Sequence, residues 1–144
     1  MKKVRIIVID DDPLSLLIAK KLLKKYLPSD FNYMLEAFQD SKVAFSQVLE
    51  CDSDPDIRDS NGWITTVLLD INMPGVDGWT FLDMLDEADP ESNISVFLHS
   101  SSDNESDKDR AKSFGRVCNY ITKPLDPLKI SVFYSNLVEI AQKM

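Results

Sequence analysis

The chain has 144 residues, of which 44% are hydrophobic and 28% are charged, with only 4 glycines and 7 prolines. This length and composition are typical of one folded domain and exclude collagen-like, low-complexity and disordered sequence. The formal net charge of −8 argues against a surface that neutralises nucleic-acid phosphates or anionic lipid headgroups, so we expect no direct nucleic-acid partner and no membrane partner.

The first residues carry no signal for export. Met1–Lys3 lead directly into a run of six residues that is apolar except for Arg5 and is too short for a signal peptide, and no apolar run approaches the length of a membrane span. Cys51 and Cys118 lie far apart without a CxxC motif, which favours two free thiols in a reducing compartment. We therefore expect a cytoplasmic protein.

The first predicted elements are a strand and a helix. Val4–Ile9 is an apolar, β-branched run broken only by Arg5, which is typical of a strand covered on both faces. Three aspartates end it, and Asp12 followed by Pro13 predicts a helix cap and a first helical residue. We expect this helix to continue to about Tyr26 and to bury one apolar stripe, formed by Leu14, Leu17, Ile18 and Leu22.

A second strand and helix follow, and then a polar stretch. Tyr33–Phe38 suits a strand, and Asp40 or Ser41 suits a helix cap. The apolar positions of the short helix are Val43, Ala44, Val48 and Leu49. The stretch Cys51–Gly62, rich in Asp, Ser and Pro, predicts an extended loop.

The third unit contains a strand, a sharp turn and a helix. Thr65–Leu69 reads as a strand that ends at Asp70, and the sequence 72–75 (Asn-Met-Pro-Gly) is a strong turn signal. The following helix presents an apolar face, formed by Trp79, Leu82 and Leu85.

The fourth strand is predicted at Ile94–His99. Ser102, with Glu105 three positions later, predicts a capping box for a helix that continues to about Phe114, and Gly115 is placed to end it.

The last strand is predicted at Val117–Ile121. Asp126 and Pro127 then cap and open a final helix. One side of this helix is apolar, formed by Ile130, Phe133, Leu137, Ile140, Ala141 and Met144.

Five strands alternating with five helices predict a doubly wound α/β fold with a parallel sheet between two helix layers. In such sheets the binding crevice lies beyond the carboxyl ends of the strands. The polar residues at those ends are Asp10 and Asp11 after the first strand, Asp70 after the third, Ser100 and Ser101 after the fourth, and Lys123 after the fifth.

Clustered carboxylates at this edge require a cation or a proton. Two of them about 4 Å apart repel by about 4 kcal/mol at an effective dielectric constant of 20. A site of oxygen ligands without His or Cys suits Mg²⁺ and is a poor fit for zinc.

Four segments carry a resemblance to a known family: VIDDDP at 8–13, LLDINMPGVDG at 68–78, the serine pair at 100–101, and YITKPL at 120–125. Together they resemble the receiver domain of two-component response regulators over essentially the whole chain. The resemblance implies a flavodoxin-like sheet with strand order 2-1-3-4-5 and a stand-alone, chemotaxis-like receiver. We expect one domain over 1–144 with no output domain, unless the chain is part of a larger protein.

The resemblance also implies a role for each site residue. Asp70 would accept a phosphoryl group from a phosphohistidine of a sensor histidine kinase or histidine phosphotransfer protein. Asp11 and Asp70 would ligate Mg²⁺ directly, Asp10 would do so through water, and Asn72 would offer its backbone carbonyl. Lys123 would pair with Asp70 before transfer and with a phosphoryl oxygen afterwards.

In this family the signal is a conformational change rather than turnover, with at most slow self-dephosphorylation. Ser100 matches the switch position, Ser101 would add a phosphoryl contact through its backbone N–H, and Tyr120 matches the aromatic residue that swings inward. The population shift would reach a downstream protein through the face of helix four, strand five and helix five. A monomer or a weak dimer through the same face is expected.

Several alternatives stay open at this stage. A haloacid-dehalogenase-like Mg²⁺ phosphohydrolase could act through Asp10, but Leu14 stands where that family prefers Thr or Val, and no further strand with an acidic motif follows Lys123. A degenerate receiver could bind partners without phosphorylation. Tyr120 could simply pack, and His99 reads as structural.

Two charged surface features also have two readings each. The acidic loop Cys51–Gly62 could determine partner choice or be a simple extension. The lysine cluster of the first helix reads as a solvated face or as a docking rim: Lys20, Lys21, Lys24 and Lys25.

Overall fold

The computed structural model describes residues 3–53 and 63–143. The strands in these ranges are β1 (Val4–Ile9), β2 (Tyr33–Phe38), β3 (Ile64–Leu69), β4 (Ser95–Ser100) and β5 (Val117–Thr122). The helices are α1 (Pro13–Tyr26), α2 (Ser41–Ser53), α3 (Gly78–Ala88), α4 (Glu105–Lys112) and α5 (Pro127–Lys143). No helix in the described ranges is long and apolar enough to cross a membrane.

The strands form one parallel sheet in the order β2-β1-β3-β4-β5, as predicted. The last residue of β1, Ile9, lies opposite Phe38 of β2 and Leu69 of β3. Because these strands end in register, the residues that follow them meet at one edge of the sheet.

Helices cover both faces of the sheet. Successive side chains of a strand point to opposite faces. Ile6 and Val8 therefore join the core beneath α1 and α5, whereas Ile7 and Ile9 join the core beneath α2, α3 and α4. All six residues of β1 are buried, which accounts for its nearly uninterrupted apolar sequence.

The stripe predicted for α1 is wrong. The helix buries Leu16, Ala19 and Leu23, and Leu22 is half-buried. Three of the four predicted residues are exposed: Leu14 by 62%, Leu17 by 47% and Ile18 by 44%. Apolar residues occur on more than one side of this helix, so periodicity alone does not identify the side that faces the sheet.

The N-caps of α1 and α2 hold as predicted. Asp12 accepts a hydrogen bond from the backbone N–H of Leu14 at 3.0 Å. Asp40 accepts from the backbone N–H of Lys42 at 2.8 Å. In α2 the predicted apolar residue Val43 is 51% exposed, because the helix packs on the core through Ala44 and Val48 instead.

The capping box predicted for α4 is also wrong. Asn104 caps this helix and accepts from the backbone N–H of Ser106 at 3.0 Å. The hydroxyl of Ser102 instead donates to Asp107 at 2.8 Å. The helix ends at Lys112, two residues before the predicted end.

The remaining differences are small. β3 begins one residue earlier than predicted, β4 is shifted by one residue, and β5 ends one residue later. The predicted loop at Cys51–Gly62 is helical through Ser53, and residues 54–62 and Met144 lie outside the described residues.

Candidate functional site

The sheet brings three predicted site residues together at its carboxyl edge. The backbone N–H of Asp10 donates to the carbonyl of Phe38 in β2 at 3.1 Å, and the N–H of Asp70 donates to the carbonyl of Ile9 in β1 at 3.0 Å. The strand pairing thus continues into both aspartates and fixes their side chains next to each other. Lys123 is anchored to the neighbouring strand by its N–H, which donates to the carbonyl of Ser100 at 2.8 Å.

The amine of Lys123 lies between the two carboxylates. Its Nζ is 2.7 Å from Oδ2 of Asp10 and 3.3 Å from Oδ2 of Asp70. The side chains of Asp10 and Asp70 are only 2% and 8% exposed. One cation therefore faces two buried acids, and the pair keeps an excess negative charge.

The two buried acids have different surroundings. Burial by itself would raise the pKa of Asp10, but hydrogen bonds from Lys123, from the Ser15 hydroxyl (2.6 Å) and from the N–H of Asp12 (3.0 Å) outweigh it, so this pKa is lowered. Burial, reinforced by the charge of Asp10 and opposed by that of Lys123, raises the pKa of Asp70 to about 6. Burial by itself would lower the pKa of Lys123, but its contacts with Asp10 and Asp70 hold this pKa above its usual value.

Asp11 completes a group of acids that could hold a metal ion. One carboxylate oxygen each from Asp10, Asp11 and Asp70 lies within 4.8 Å of the others. Asp11 is the most exposed of the three, so the group opens to solvent on its side. All the candidate metal ligands in this group are carboxylate oxygens, which are the ligands that a hard divalent cation prefers.

Asn72 lies at the mouth of this group. Its backbone N–H donates to Oδ1 of Asp70 at 3.3 Å, and the residue itself is exposed.

The end of β4 lies beside the acid group. Ser100 is fully buried, and its Oγ accepts from the N–H of Ser102 at 3.1 Å, whereas Ser101 is exposed. The hydroxyl of Tyr120 donates to the carbonyl of Ser102 at 2.8 Å, and its half-buried ring packs against the α3 side of the core. Ser100 and Tyr120 thus both bind the backbone of Ser102 in the loop that leads to α4.

A match to a family model identifies the family to which this site belongs. The model described as the response regulator receiver domain matches residues 6–133. The chain belongs to this family. Receivers are signalling domains rather than classical enzymes, which agrees with the resemblance noted in the sequence.

Solved structures agree on the fold of this receiver. A two-component response regulator from Cytophaga hutchinsonii is similar with a TM-score of 0.80 and 23% identity, over 96% of this chain and 99% of the other. A response regulator receiver protein from Dyadobacter fermentans DSM 18053 gives 0.69 and 26%, over 93% and 98%. A CheY-like receiver domain protein from Methanospirillum hungatei JF-1 gives 0.69 and 20%, over 98% of both chains. No curated protein matches the chain.

Two residues of the receiver's site were missed from the sequence. Ser15 holds Asp10 through its hydroxyl, and no local pattern marks a serine in a first helical turn as anything but solvent-facing. Gly78 allows α3 to begin against the end of β3, since a Cβ there would lie 2.7 Å from the carbonyl oxygen of Asp70 and from Cα of Ile71. A glycine at the start of an apolar helix is a signal that could have revealed this contact.

His99 is buried, in agreement with the structural reading of the sequence. It is 4% exposed, and its Nε2 has no hydrogen-bond partner among the described residues. Burial, with a smaller contribution from the charge of Lys123, lowers its pKa to about 4, so the ring is neutral at pH 7. It lines a cavity of 180 Å³ between α1 and the turn after β5, together with Leu14, Ile18 and Pro124.

Proposed function

We propose that this receiver works in the cytoplasm and accepts one phosphoryl group on Asp70 from a phosphohistidine of a sensor histidine kinase or a histidine phosphotransfer protein. The observation that carries the proposal is that Asp70 lies next to both the ammonium of Lys123 and the carboxylates of Asp10 and Asp11. A nucleophile, a cation for the incoming phosphoryl oxygens and a set of metal ligands are thereby placed at one point.

In the proposed step, an oxygen of Asp70 attacks the phosphorus in line. The P–N bond breaks with its electron pair moving to the imidazole, which takes up a proton from solvent, and Asp70 becomes an acyl phosphate. A pKa of about 6 leaves most of Asp70 ionised at pH 7 and ready to attack. Lys123 then exchanges its contact with Asp70 for a contact with a phosphoryl oxygen.

Mg²⁺ is the cation that fits the acid group. Asp11 and Asp70 would ligate it directly, Asp10 would do so through water, and the backbone carbonyl of Asn72 would complete the protein ligands. When bound, it offsets the negative charge that gathers during phosphoryl transfer.

The proposed output is a population shift in the loop after β4. A phosphoryl group on Asp70 offers acceptor oxygens to the Ser100 hydroxyl and to the N–H of Ser101. Drawing Ser100 toward that group changes its bond to the N–H of Ser102, whose carbonyl is held by Tyr120. The effect is transmitted to the face formed by α4, β5 and α5, where a downstream protein or a second copy would bind. We also propose that loss of the phosphoryl group proceeds by slow self-dephosphorylation.

The geometry favours Asp70 over Asp10 as the acceptor, which counts against the phosphohydrolase alternative. Oδ2 of Asp10 already accepts from both Ser15 and Lys123, and its Oδ1 accepts from the N–H of Asp12. Among the described residues, Asp70 accepts only from Lys123 and from the N–H of Asn72, both at 3.3 Å. The less engaged carboxylate is the better nucleophile.

Incubation with acetyl phosphate and Mg²⁺ is expected to add one phosphoryl group to the intact protein, as measured by mass spectrometry. Chelation of Mg²⁺ should prevent the gain. Asp11→Asn should greatly reduce labelling because it removes the open metal ligand, whereas the neighbouring Asp12→Asn, which keeps a capping side chain, should label like the wild type. A wild-type protein that stays unlabelled would favour the degenerate-receiver alternative.

The exposed apolar side of α1 is the surface that we propose for the phosphodonor. Leu14, Leu17 and Ile18 lie on it, and Leu14 and Ile18 share the cavity with the turn after β5 that carries Lys123. The lysines further along α1 make its rim basic. These features fit an apolar helix face with an acidic rim that presents its phosphohistidine to Asp70.

Ile18→Glu is expected to slow transfer from a phosphorylated histidine phosphotransfer protein at least tenfold, because a charge in the centre of an apolar contact must be desolvated. Labelling by acetyl phosphate should not change. Val132→Glu on α5 is the matched control, since both residues are 44% exposed. Equal transfer rates in the two variants would contradict the α1 surface.

A further inference from the structure

Lys129 in the first turn of α5 contacts the backbone on both sides of Lys123. Its Nζ donates to the carbonyl of Thr122 at 2.8 Å and to the carbonyl of Pro124 at 3.0 Å. One amine therefore binds the backbone carbonyls of the two residues on either side of the lysine that bridges Asp10 and Asp70.

A lysine in this position runs against the local preference of a helix. Asp126 accepts from the N–H of Lys129 at 2.7 Å and so caps α5, which makes Lys129 the third residue of the helix. The positive end of the helix dipole disfavours a cation there, and a capping box would place Glu or Gln at the same position. A residue that breaks a local rule in a folded protein is commonly explained by a contact elsewhere.

The carbonyl of Thr122, one of the two that Lys129 binds, has no second strand to pair with among the described residues. β5 is an edge strand of the sheet, so β4 is its only neighbouring strand among the described residues. Pro124 has no N–H that could close the turn from within. The amine of Lys129 supplies a donor to the carbonyl of Thr122 instead.

The α5 backbone from which Lys129 extends is held in place by packing. Lys129 is followed by Ile130, which is 1% exposed, and Phe133 one turn later is completely buried in the core beneath α1 and α5. The backbone of α5 is thus fixed by packing, and Lys129 transfers that fixation to the turn that carries Lys123.

We propose that Lys129 is a positioning residue of the phosphoryl-accepting site. By holding the carbonyls of Thr122 and Pro124, it sets where the turn after β5 presents the ammonium of Lys123 to Asp70. This inference rests on the proposed function, because its effect is exerted on phosphoryl transfer through Lys123.

The first experiment compares three variants by their second-order rate constants for labelling with acetyl phosphate at saturating Mg²⁺. Lys129→Met, which keeps the stem but removes both hydrogen bonds, is expected to react about tenfold more slowly. Lys129→Arg, which can donate to both carbonyls, should recover the wild-type rate within about twofold. Lys143→Met removes the same charge from the other end of α5 and should react like the wild type. Equal slowing in the Met and Arg variants would overturn the proposal.

A double-mutant cycle separates positioning from a general structural role. With Lys123 replaced by Ala there is no ammonium left to position, so Lys129→Met should cause no further slowing in the Lys123→Ala background. Slowing by the same factor in both backgrounds would instead mean that Lys129 acts on the fold.

The outcome for the wild-type protein keeps the two proposals apart. If the wild type is not labelled, the proposed function fails. If the wild type is labelled and Lys129→Met matches its rate, the role of Lys129 alone is refuted.

Discussion

Replacing Asp70 by Asn is expected to abolish phosphoryl labelling and, at pH 7.5, to stabilise the fold. The amide cannot form the acyl phosphate, so the mass gain with acetyl phosphate and Mg²⁺ should disappear. It also removes a buried negative charge that Lys123 neutralises only in part, since the same amine is closer to Asp10. We expect a free energy of unfolding that is higher by about 1 to 2 kcal/mol, because the loss of the Lys123 contact offsets part of the gain.

The pH dependence of stability provides the sharper measurement. The pKa of Asp70 is raised from 3.8 to about 6 in the folded protein. Between these values the folded state binds more protons than the unfolded chain, so this group lowers stability as pH rises from about 4 to 6. A difference of about 2 pKa units corresponds to about 3 kcal/mol over that range.

Urea unfolding of the wild type and of Asp70→Asn at pH 4.5, 6 and 7.5 tests this prediction. The free energy of unfolding of the variant should not show the decrease with rising pH that Asp70 causes in the wild type. The difference in free energy of unfolding between the variant and the wild type should therefore grow with pH. Asp83→Asn, which removes an exposed carboxylate from α3, is the control and should follow the wild type. Retained labelling in Asp70→Asn would place the acceptor elsewhere, and an advantage independent of pH would show that Asp70 carries no buried charge.

The sheet and the proximity of the predicted site residues were predictable because burial and topology leave signals in the sequence. Strands covered on both faces keep continuous apolar runs, so the bounds of β1 match the prediction. The bounds of the edge strand β2 also match, and the other strands differ by one residue. Parallel strands also place their carboxyl ends at one edge, which brings Asp10, Asp70 and Lys123 together.

The packed face of α1 was not predictable for a physical reason that bears on function. Leu17 and Ile18 have apolar side chains like those of core residues, but they lie on the surface that we propose for the phosphodonor. An apolar surface that binds a partner and an apolar surface that packs in the core give the same periodic pattern. Which side of the helix faces the sheet depends on how the chain turns between β1 and α1, and the periodic pattern does not contain that information.

The contacts of long or small polar side chains were not predictable either. Ser102 has a suitable capping side chain, but its hydroxyl binds Asp107 and Asn104 takes its place as the cap. Lys129 reaches back across the turn after β5 to Thr122 and Pro124. Such contacts depend on tertiary geometry and leave no period in the sequence.

Replacing Arg116 by Met is expected to cost about 3 to 5 kcal/mol of folding free energy, because it leaves a buried acid without its partner. The arginine side chain is 1% exposed and that of Asp89 is 3% exposed, with Nη1 of Arg116 2.8 Å from Oδ2 of Asp89. The same guanidinium donates to the carbonyls of Leu85, Asp89 and Ile94, and so joins the end of α3 to the start of β4.

Urea denaturation of Arg116→Met measures this loss, with Asp86→Asn as the matched control. Asp86 accepts from Nε of the same arginine but is 50% exposed, so its replacement should cost less than about 1 kcal/mol. Arg116 precedes β5 and lies at the opposite edge of the sheet from Asp70, so the folded fraction of the variant should still accept a phosphoryl group. A loss no larger than that of Asp86→Asn would mean that Asp89 and the carbonyls find water or other donors, and the buried network would then contribute little to the stability of the fold.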